Sequence, residues 1–127
     1  MEGLVKQKIR SFTDLLAWKA GHKLVIDVYK VTEKFPSKEV FGLTNQIRRC
    51  VVSITSNIAE GFSRGSNKDK SNFYNVALGS LTELQNQILI AKDVKYITKQ
   101  EFDILAEQAI QVSKLIHGLK KFNYIKN

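Results

Sequence analysis

The sequence is poor in the residues that build disulfides, rigid loops and disordered segments. Of its 127 residues, one is cysteine, one is proline and seven are glycine. Because Cys50 has no second thiol to pair with, an intrachain disulfide is excluded and a reducing compartment is indicated. The scarcity of proline and glycine leaves little room for long flexible loops. We expect a cytoplasmic protein that folds as a single domain over residues 1–127.

Long hydrophobic runs are also missing. No apolar run exceeds four residues, which is too short to cross a bilayer. Residues 1–12 lack the continuous apolar segment of a signal peptide. We therefore expect no membrane contact.

The residue patterns of metal binding and catalysis are absent too. His22 and His117 are isolated in the sequence, and neither lies near Cys50, so no metal-ligand spacing is present. His22 falls on a mostly apolar stripe, which predicts a packed side chain. Residues 61–68 lack the Gly-Lys-Ser/Thr ending of a phosphate-binding loop. We expect no cofactor, no metal ion and no enzymatic activity.

Positive charge is present in excess. Twenty Lys and Arg residues against twelve Asp and Glu residues give a net charge of +8. Such a surplus predicts attraction to polyanions such as nucleic acids. A solvated basic surface without a nucleic-acid role is the alternative.

Apolar residues recur with helical spacing in four segments, at about 14–34, 40–63, 67–94 and 98–122. Phe35-Pro36 ends the first segment, and Thr98 with Glu101 forms a capping box before the last. No segment alternates with a period of two, so strands are not expected. Short connections between four long helices predict an all-α, up-down-up-down antiparallel four-helix bundle.

The helical spacing also predicts the apolar stripes. The first segment carries two adjacent ones: Leu15, Trp18, Val25 and Tyr29, and beside them Leu24, Val28, Val31 and Phe35. The other segments each present one face to the core: Leu43, Ile47, Cys50, Ile54 and Ile58, then Phe73, Ala77, Leu81, Leu84, Ile88 and Ala91, then Phe102, Leu105, Ala109, Val112, Ile116 and Leu119.

A polar layer is predicted inside the otherwise apolar second segment. Pairing the second and third helices about the turn at Gly65-Ser66 places Arg49 opposite Glu83 and Ser53 beside Gly79 and Ser80. We interpret Arg49 as the ion-pair partner of Glu83, and Asn57 as a hydrogen-bonding residue between helices that sets their register. The small residues at 79 and 80 would let the helices approach closely. Arg48 is a candidate for phosphate binding instead.

The second segment is apolar on more than one face, through Val51, Val52, Ile54, Ile58 and Phe62. A helix that is apolar on several sides is covered on several sides. We therefore predict a homo-oligomer.

The predicted topology gathers cations at one end of the bundle, which we call the basic pole. Together with Arg48, its residues form the predicted nucleic-acid-binding set of Lys6, Lys8, Arg10, Arg64, Lys68, Lys70, Lys120 and Lys121. Such a surface would bind phosphates with strong salt dependence and little sequence readout. Aromatic residues near the pole would either stack on unpaired bases or plug the bundle end; they are Phe12, Phe62, Phe73, Tyr74, Phe122 and Tyr124.

Several motifs resemble one bacterial family over about residues 12–122. They are DLLAWKA at 14–20, Phe35-Pro36, FGLTNQIRR at 41–49, Ser53-Ile54, NIAEG at 57–61 and GSLTEL at 79–84. The chain is similar to the four-helix-bundle proteins encoded by intervening sequences within bacterial 23S rRNA genes, which are often labelled ribosomal proteins. Thr55 stands where many members carry proline, which implies a straighter second helix.

The resemblance extends to the accessory variability determinants of diversity-generating retroelements, which form basic pentameric barrels that engage nucleic acid. By that resemblance the chain would be a pentamer. Residues and resemblance together predict a non-catalytic, oligomeric protein that binds nucleic acid, RNA in particular, through the basic pole. An oligomeric adaptor that binds a protein partner is the alternative.

Overall fold

The computed structural model describes the backbone of residues 8–126 and the side chains of residues 8–122. Four α-helices make up most of this part of the chain: α1 (Leu16–Thr32), α2 (Leu43–Ser63), α3 (Asn67–Asp93) and α4 (Lys99–Lys126). Short 3-10 turns precede α1 at Phe12–Asp14 and α2 at Ser37–Glu39. No strand occurs among the residues that the structure describes.

The helices form the predicted antiparallel bundle. Each helix packs against the two that flank it, in the order α1, α2, α3, α4 and back to α1. Polar contacts tie the ends together: Lys34 pairs with Glu101 at one end, and Lys120 Nζ donates a hydrogen bond of 2.5 Å to Asn75 Oδ1 toward the other. The all-α fold class predicted from the apolar spacing is confirmed.

The core consists mostly of side chains that the helical spacing selected. Of the first stripe of the first segment, Leu15 is buried, whereas Tyr29 is exposed. Leu24, Ile54, Leu84, Ala109 and Ile116 are fully buried, and each helix contributes one apolar stripe. The main difference lies in α3, where Tyr74 is buried and Phe73 is only partly covered. The two residues are neighbours on the helix, so a small rotation of α3 about its axis decides which ring enters the core.

The apolar faces of α2 are covered within the chain, contrary to the argument used for an oligomer. Val51, Ile54 and Ile58 are 0% exposed, because α2 packs against both α1 and α3. Of the five residues on which that argument rested, only Val52 is exposed. The expectation that α2 presents apolar faces to another subunit is therefore wrong. Self-association through other surfaces is unaffected by this finding.

Helix α2 starts later than predicted, at Leu43 instead of about residue 40. Glu39 causes the delay, since its Oε1 accepts a hydrogen bond of 3.0 Å from the Leu43 amide and its Oε2 accepts one of 2.7 Å from Tyr96 Oη. The hydrogen bond from the Leu43 amide, and to a smaller extent the one from Tyr96, lowers the pKa of the Glu39 carboxyl. A side chain outside the helix therefore caps it, a role that periodicity does not reveal.

The close approach of α2 and α3 occurs at a different glycine from the one predicted. A Cβ on Gly79 would meet no atom within 4 Å, whereas one on Gly61 would lie 2.6 Å from Cε1 of Tyr74. Gly79 is exposed and Gly61 is buried. The assignment of Gly79 as a close-approach residue is thus wrong, and Gly61 fills that role by accommodating the buried Tyr74 ring.

The capping box predicted at the start of α4 is present. The Glu101 amide donates to Thr98 Oγ1 at 3.0 Å, and the Thr98 amide donates to Glu101 Oε1 at 2.9 Å. The ion pair with Lys34 joins this carboxylate to the end of α1. The hydrogen bond from Lys34, and to a smaller extent the one from the Thr98 amide, holds the pKa of the Glu101 carboxyl below its ordinary value of 4.5.

Replacing Glu101 by Gln is expected to flatten the acid dependence of stability. A carboxylate with a lowered pKa in the folded state contributes stability that is present above its unfolded pKa and lost as the pH falls through its folded pKa. The free energy of unfolding should therefore decrease below about pH 4.5, and decrease less in E101Q. Urea unfolding at about pH 7 and about pH 3 checks this. Equal losses in both proteins would contradict the assignment.

Within the described part of the chain, no helix combines the length and apolar content needed to cross a membrane.

Candidate nucleic-acid interface

Three separate segments meet at one end of the bundle. The amino-terminal arm from Lys8, the turn at residues 64–66 and the last turns of α4 lie together there, because α1 and α3 begin where α2 and α4 end. Ile9 of the arm lines a groove with Lys114, Leu115 and Leu119 of α4. The topology thus brings together the described cations that the sequence assigned to the basic pole; Lys6 lies outside the described residues.

The amino-terminal arm is fixed by a local network around Asp14. The backbone amides of Arg10 and Ser11 donate to Asp14 Oδ2 at 2.8 and 3.1 Å, and Ser11 Oγ accepts from the Thr13 amide at 3.2 Å. The hydrogen bonds from Arg10 first and Ser11 second lower the pKa of Asp14. The arm is therefore held against the bundle, and the Asp14 charge is already engaged by backbone donors.

Three of the cations at the basic pole are used within the chain. Lys70 donates to the Phe62 carbonyl oxygen at 2.7 Å, which satisfies the end of α2. Arg64 donates to Glu60 Oε2 at 2.9 Å, and Lys120 binds Asn75. These side chains hold the pole together, and their charges are partly committed.

Four of the cations that the sequence assigned to this end make no side-chain hydrogen bond or ion pair with any described residue. We call them the free cations: Lys8, Arg10, Lys68 and Lys121. All four are exposed. At the opposite end, Lys34, Lys92 and Lys99 each pair with a carboxylate, whereas Lys30, Lys38 and Lys95 pair with none among the described residues. Five carboxylates offset the six lysines of that end: Glu33, Glu39, Asp93, Glu101 and Asp103. The seven described cations of the basic pole face three: Asp14, Glu60 and Asp69. Net positive charge is therefore concentrated at the basic pole.

Arg48 does not belong to the basic pole. It lies in the second turn of α2, toward the opposite end. Its Nε donates to Thr32 Oγ1 at 2.9 Å and its Nη2 to the Tyr29 carbonyl at 3.3 Å, with the guanidinium 4.6 Å from the Tyr29 ring centroid. Two of its guanidinium donors are thus directed to α1, and the structure does not bring Arg48 together with the other predicted nucleic-acid-binding residues.

Replacing Arg48 by Lys is expected to lower the free energy of unfolding by about 1–2 kcal/mol, since a lysine cannot reproduce the planar stacking on Tyr29 or both hydrogen bonds. RNA affinity should not change. Arg49→Lys is the matched control, because Arg49 makes no hydrogen bond or ion pair with the described residues. Urea unfolding and an RNA titration of both variants check this. Weaker RNA binding by R48K at unchanged stability would return Arg48 to the interface.

The polar layer between α2 and α3 forms in part. Ser53 Oγ and Ser80 Oγ lie 2.9 Å apart and share a hydrogen bond. Asn57 Nδ2 donates to the Ser53 carbonyl at 2.8 Å and to Ser53 Oγ at 3.1 Å. Asn57 thus bonds within its own helix and reaches α3 only through Ser53. The predicted direct bond between helices is wrong, because Ser53 lies one turn away and intercepts the amide.

Arg49 and Glu83 lie at the same level, as predicted, without forming the predicted ion pair. Both line a cleft of about 370 Å³ between α2 and α3. Glu83 Oε2 instead accepts from Gln87 Nε2 at 3.3 Å, and Arg49 has no charged partner within the described residues. Both side chains are exposed, so water competes with the pair.

Cys50 is a protonated thiol in this structure. Its Sγ donates to the Ser80 carbonyl at 3.0 Å, and burial, followed by the nearby Glu83 carboxylate, raises its pKa to about 12. A thiol with such a pKa is a poor nucleophile at neutral pH. Within residues 8–122, no group of three or more His, Cys, Asp or Glu side chains is placed to hold a metal ion.

The aromatic residues near the basic pole differ in accessibility. Tyr74 is 1% exposed, so it packs inside the end of the bundle, which is the second of the two predicted roles, and it cannot stack on a base. Phe62 and Phe73 are partly covered by cations, with Lys70 Nζ 5.3 Å and the Arg64 guanidinium 4.5 Å from their ring centroids. Phe122 is exposed. The side chain of Tyr124 lies outside the described residues.

One aromatic pair was missed in the sequence. Trp18 and His22, one turn apart on α1, stack with ring centroids 4.6 Å apart and an interplanar angle of 15°. One face of the His22 ring is thus packed on Trp18, whereas the side chain as a whole is exposed to solvent and not buried in the core. The spacing of four residues between two aromatic rings is the signal that would have indicated the stack.

The fold and the cation distribution define an all-α protein of the basic four-helix-bundle class. The chain belongs to the family of 23S rRNA-intervening sequence proteins, whose sequence profile matches residues 13–118. The resemblance drawn from the sequence motifs is thereby confirmed.

A solved structure with the same fold comes from Bacteroides thetaiotaomicron, where the protein is described as a member of the S23 ribosomal protein family with unknown function. The two structures superpose with a TM-score of 0.77 at 20% sequence identity, over 84% of this chain and 96% of that chain. At this identity the likeness shows the fold alone. A comparison with curated proteins gave no match.

Proposed function

We propose that this chain is a non-catalytic, oligomeric RNA-binding protein that uses the basic pole. The observation that carries the proposal is the clustering of the four free cations at one end of a folded domain. Charged groups without a partner among the described residues are available to a ligand of opposite charge. The phosphodiester backbone of a nucleic acid matches a set of cations spread over one end better than a single small anion does.

The geometry favours recognition of phosphates over recognition of sequence. The free cations lie on an arm, a helix start and a helix end, so no single helix presents them as a row that would follow a groove. Contacts of this kind position a nucleic acid and supply salt-dependent affinity, but they carry no base readout. We therefore expect tolerance of RNA sequence at the basic pole.

Self-association is the second part of the proposal. Tyr29 and Val52 are about 39% and 38% exposed, and they line one cleft with Arg49, which has no bonding partner among the described residues. Aromatic and arginine side chains are enriched at protein interfaces. A second copy of the chain would cover them, and the family resemblance suggests five copies. Light scattering tests this, and a monomer at high concentration would contradict it.

The proposed function is tested by titrating the purified protein with a single-stranded and a structured RNA at about 50 and 200 mM salt. Binding that weakens steeply between the two salt concentrations is expected. An absence of binding even at the lower concentration would contradict RNA binding.

The alternative is an oligomeric adaptor that binds a protein partner. Phe41 is 92% exposed and Val40 is 52% exposed, both beside the start of α2 at the end opposite the basic pole. Exposed apolar patches mark contact sites for proteins. If RNA does not bind, this patch becomes the leading candidate surface.

A further inference from the structure

Three aromatic rings follow one another from the basic pole along the start of α1. We call them the aromatic ladder: Phe12, Trp18 and His22. Phe12 meets Trp18 edge to face, with ring centroids 5.4 Å apart and an interplanar angle of 70°. Trp18 in turn stacks face to face on His22. The rings of Phe12 and Trp18 are partly buried against the core, whereas His22 is exposed. Phe12 and Trp18 are thus fixed against the core, and the ladder is open to solvent at His22.

The outer face of the His22 ring has no partner among the described residues. One face lies on Trp18, and neither ring nitrogen makes a hydrogen bond with the described part of the chain. The indole beneath fixes the imidazole plane, so a further planar group would meet a preorganised surface and bind at a lower entropic cost.

Cations lie along the same path. Arg10 precedes Phe12 by two residues, and Lys19 follows Trp18 directly. Both side chains are exposed. Each acts through its charge on the Asp14 carboxylate, without forming an ion pair with the described residues. A ligand on the ladder would therefore meet aromatic faces and positive charges within a few residues of one another. Proteins that hold unpaired nucleotides combine these two features.

The geometry points to the ladder of Phe12, Trp18 and His22 as a stacking platform for unpaired bases, which makes single-stranded RNA the ligand class. This inference rests on the proposed function, because the cations would deliver the backbone to the ladder. Duplex RNA keeps its bases stacked inside the helix and cannot use the platform. The ladder therefore separates single-stranded from double-stranded ligands at an otherwise non-selective basic pole.

The test compares an oligouridylate of about 12 nucleotides with an abasic oligomer of equal length and charge. The wild-type chain should bind the oligouridylate more tightly. His22→Ala should weaken its binding by about 5-fold to 100-fold and leave the abasic oligomer unaffected. His22→Phe should retain tight binding because it keeps an aromatic ring.

His117→Ala is the matched control, since His117 is also exposed but makes no aromatic contact with the described residues. It should bind both oligomers like the wild-type chain. Trp18 is the single tryptophan of the sequence, so its fluorescence reports on the ladder directly. Oligouridylate should quench that emission more strongly than the abasic oligomer does. Circular dichroism verifies that each variant is folded.

Each contrary outcome has a distinct meaning. Equal affinity of the wild-type chain for the two oligomers would overturn the ladder inference and leave the basic pole as a phosphate-binding site. Failure of both oligomers to bind at low salt would overturn the proposed function and the inference with it. Trp18 fluorescence that changes with protein concentration but not on addition of RNA would place the ladder in a contact between copies. That result would also overturn the inference.

Discussion

Glutamine at the positions of the four free cations is expected to abolish most of the salt-dependent affinity for RNA. Each phosphate contact to a single strand contributes a slope of about −0.7 to the dependence of log affinity on log salt, so four contacts give about −2.8. Between about 50 and 200 mM salt, this corresponds to a loss of about 50-fold. The affinity of the variant for RNA should lose most of this dependence of about 50-fold on salt. The variant should also bind RNA weakly at low salt.

The matched control carries the same number of neutralised cations on the opposite half of the bundle. Its substituted residues are Lys30, Lys38, Lys95 and Lys99, all of them exposed. Net charge falls equally in both variants, so a general loss of attraction would affect both alike. We expect the control to retain most of the salt slope, and fluorescence anisotropy with a labelled RNA measures it. Equal slopes in the two variants would mean that the pole has no special role.

Alanine at position 61 is expected to destabilise the fold, and alanine at position 79 to stabilise it. A Cβ on Gly61 would lie 2.6 and 2.9 Å from two ring atoms of Tyr74 and 3.1 Å from Phe73 Cβ. Tyr74 is buried, so its ring cannot move away without displacing the core. Overpacking of this kind costs about 1–3 kcal/mol, and we expect about 2 kcal/mol after the gain in helix propensity.

Gly79 provides the comparison for the same chemical change. It lies within α3 in open space, so replacing it by Ala should stabilise the chain by about 1 kcal/mol through helix propensity alone. Gly118→Ala in α4 is a second control, since its Cβ would also meet nothing within 4 Å. Urea unfolding of the three variants and of the wild-type chain gives the change in the free energy of unfolding for each substitution. A stabilising Gly61→Ala would show that α2 and α3 are not in close contact there.

The helices and the core could be predicted because they depend on one local property, the period of apolar residues. A residue such as Leu84 or Ala109 enters the core wherever the neighbouring helices lie, as long as its stripe faces inward. The start of α2 could not be predicted, because Glu39 caps it from outside the helix and is itself held by Tyr96 in a distant segment. Caps of this kind depend on tertiary structure.

The candidate site was predictable in position but not in detail. Folding the chain up and down places Lys8, Lys68 and Lys121 at one end whatever the side chains do. Which cations stay free depends instead on individual atoms, such as the Phe62 carbonyl that engages Lys70. Periodicity also gives the level of Arg48 but not which neighbouring helix its guanidinium reaches.

The polar layer shows the same limit of sequence reasoning. The levels of Arg49 and Glu83 were placed correctly, since both line one cleft. Whether two exposed charges join in an ion pair depends on rotamers and on competition with water, which no spacing encodes. The confusion of Gly61 with Gly79 has a related cause, because the rotation of a helix about its axis decides which small residue faces its neighbour.

Lysine footprinting in the presence of RNA tests the central claim most directly. Acetylation of the free chain and of the chain saturated with oligouridylate, read residue by residue by mass spectrometry, reports which ammonium groups the ligand covers. We predict strong protection of Lys8, Lys68 and Lys121, with Lys38 and Lys95 at the opposite end modified as in the free chain. Protection of Lys38 and Lys95 with continued modification at the basic pole would contradict the account.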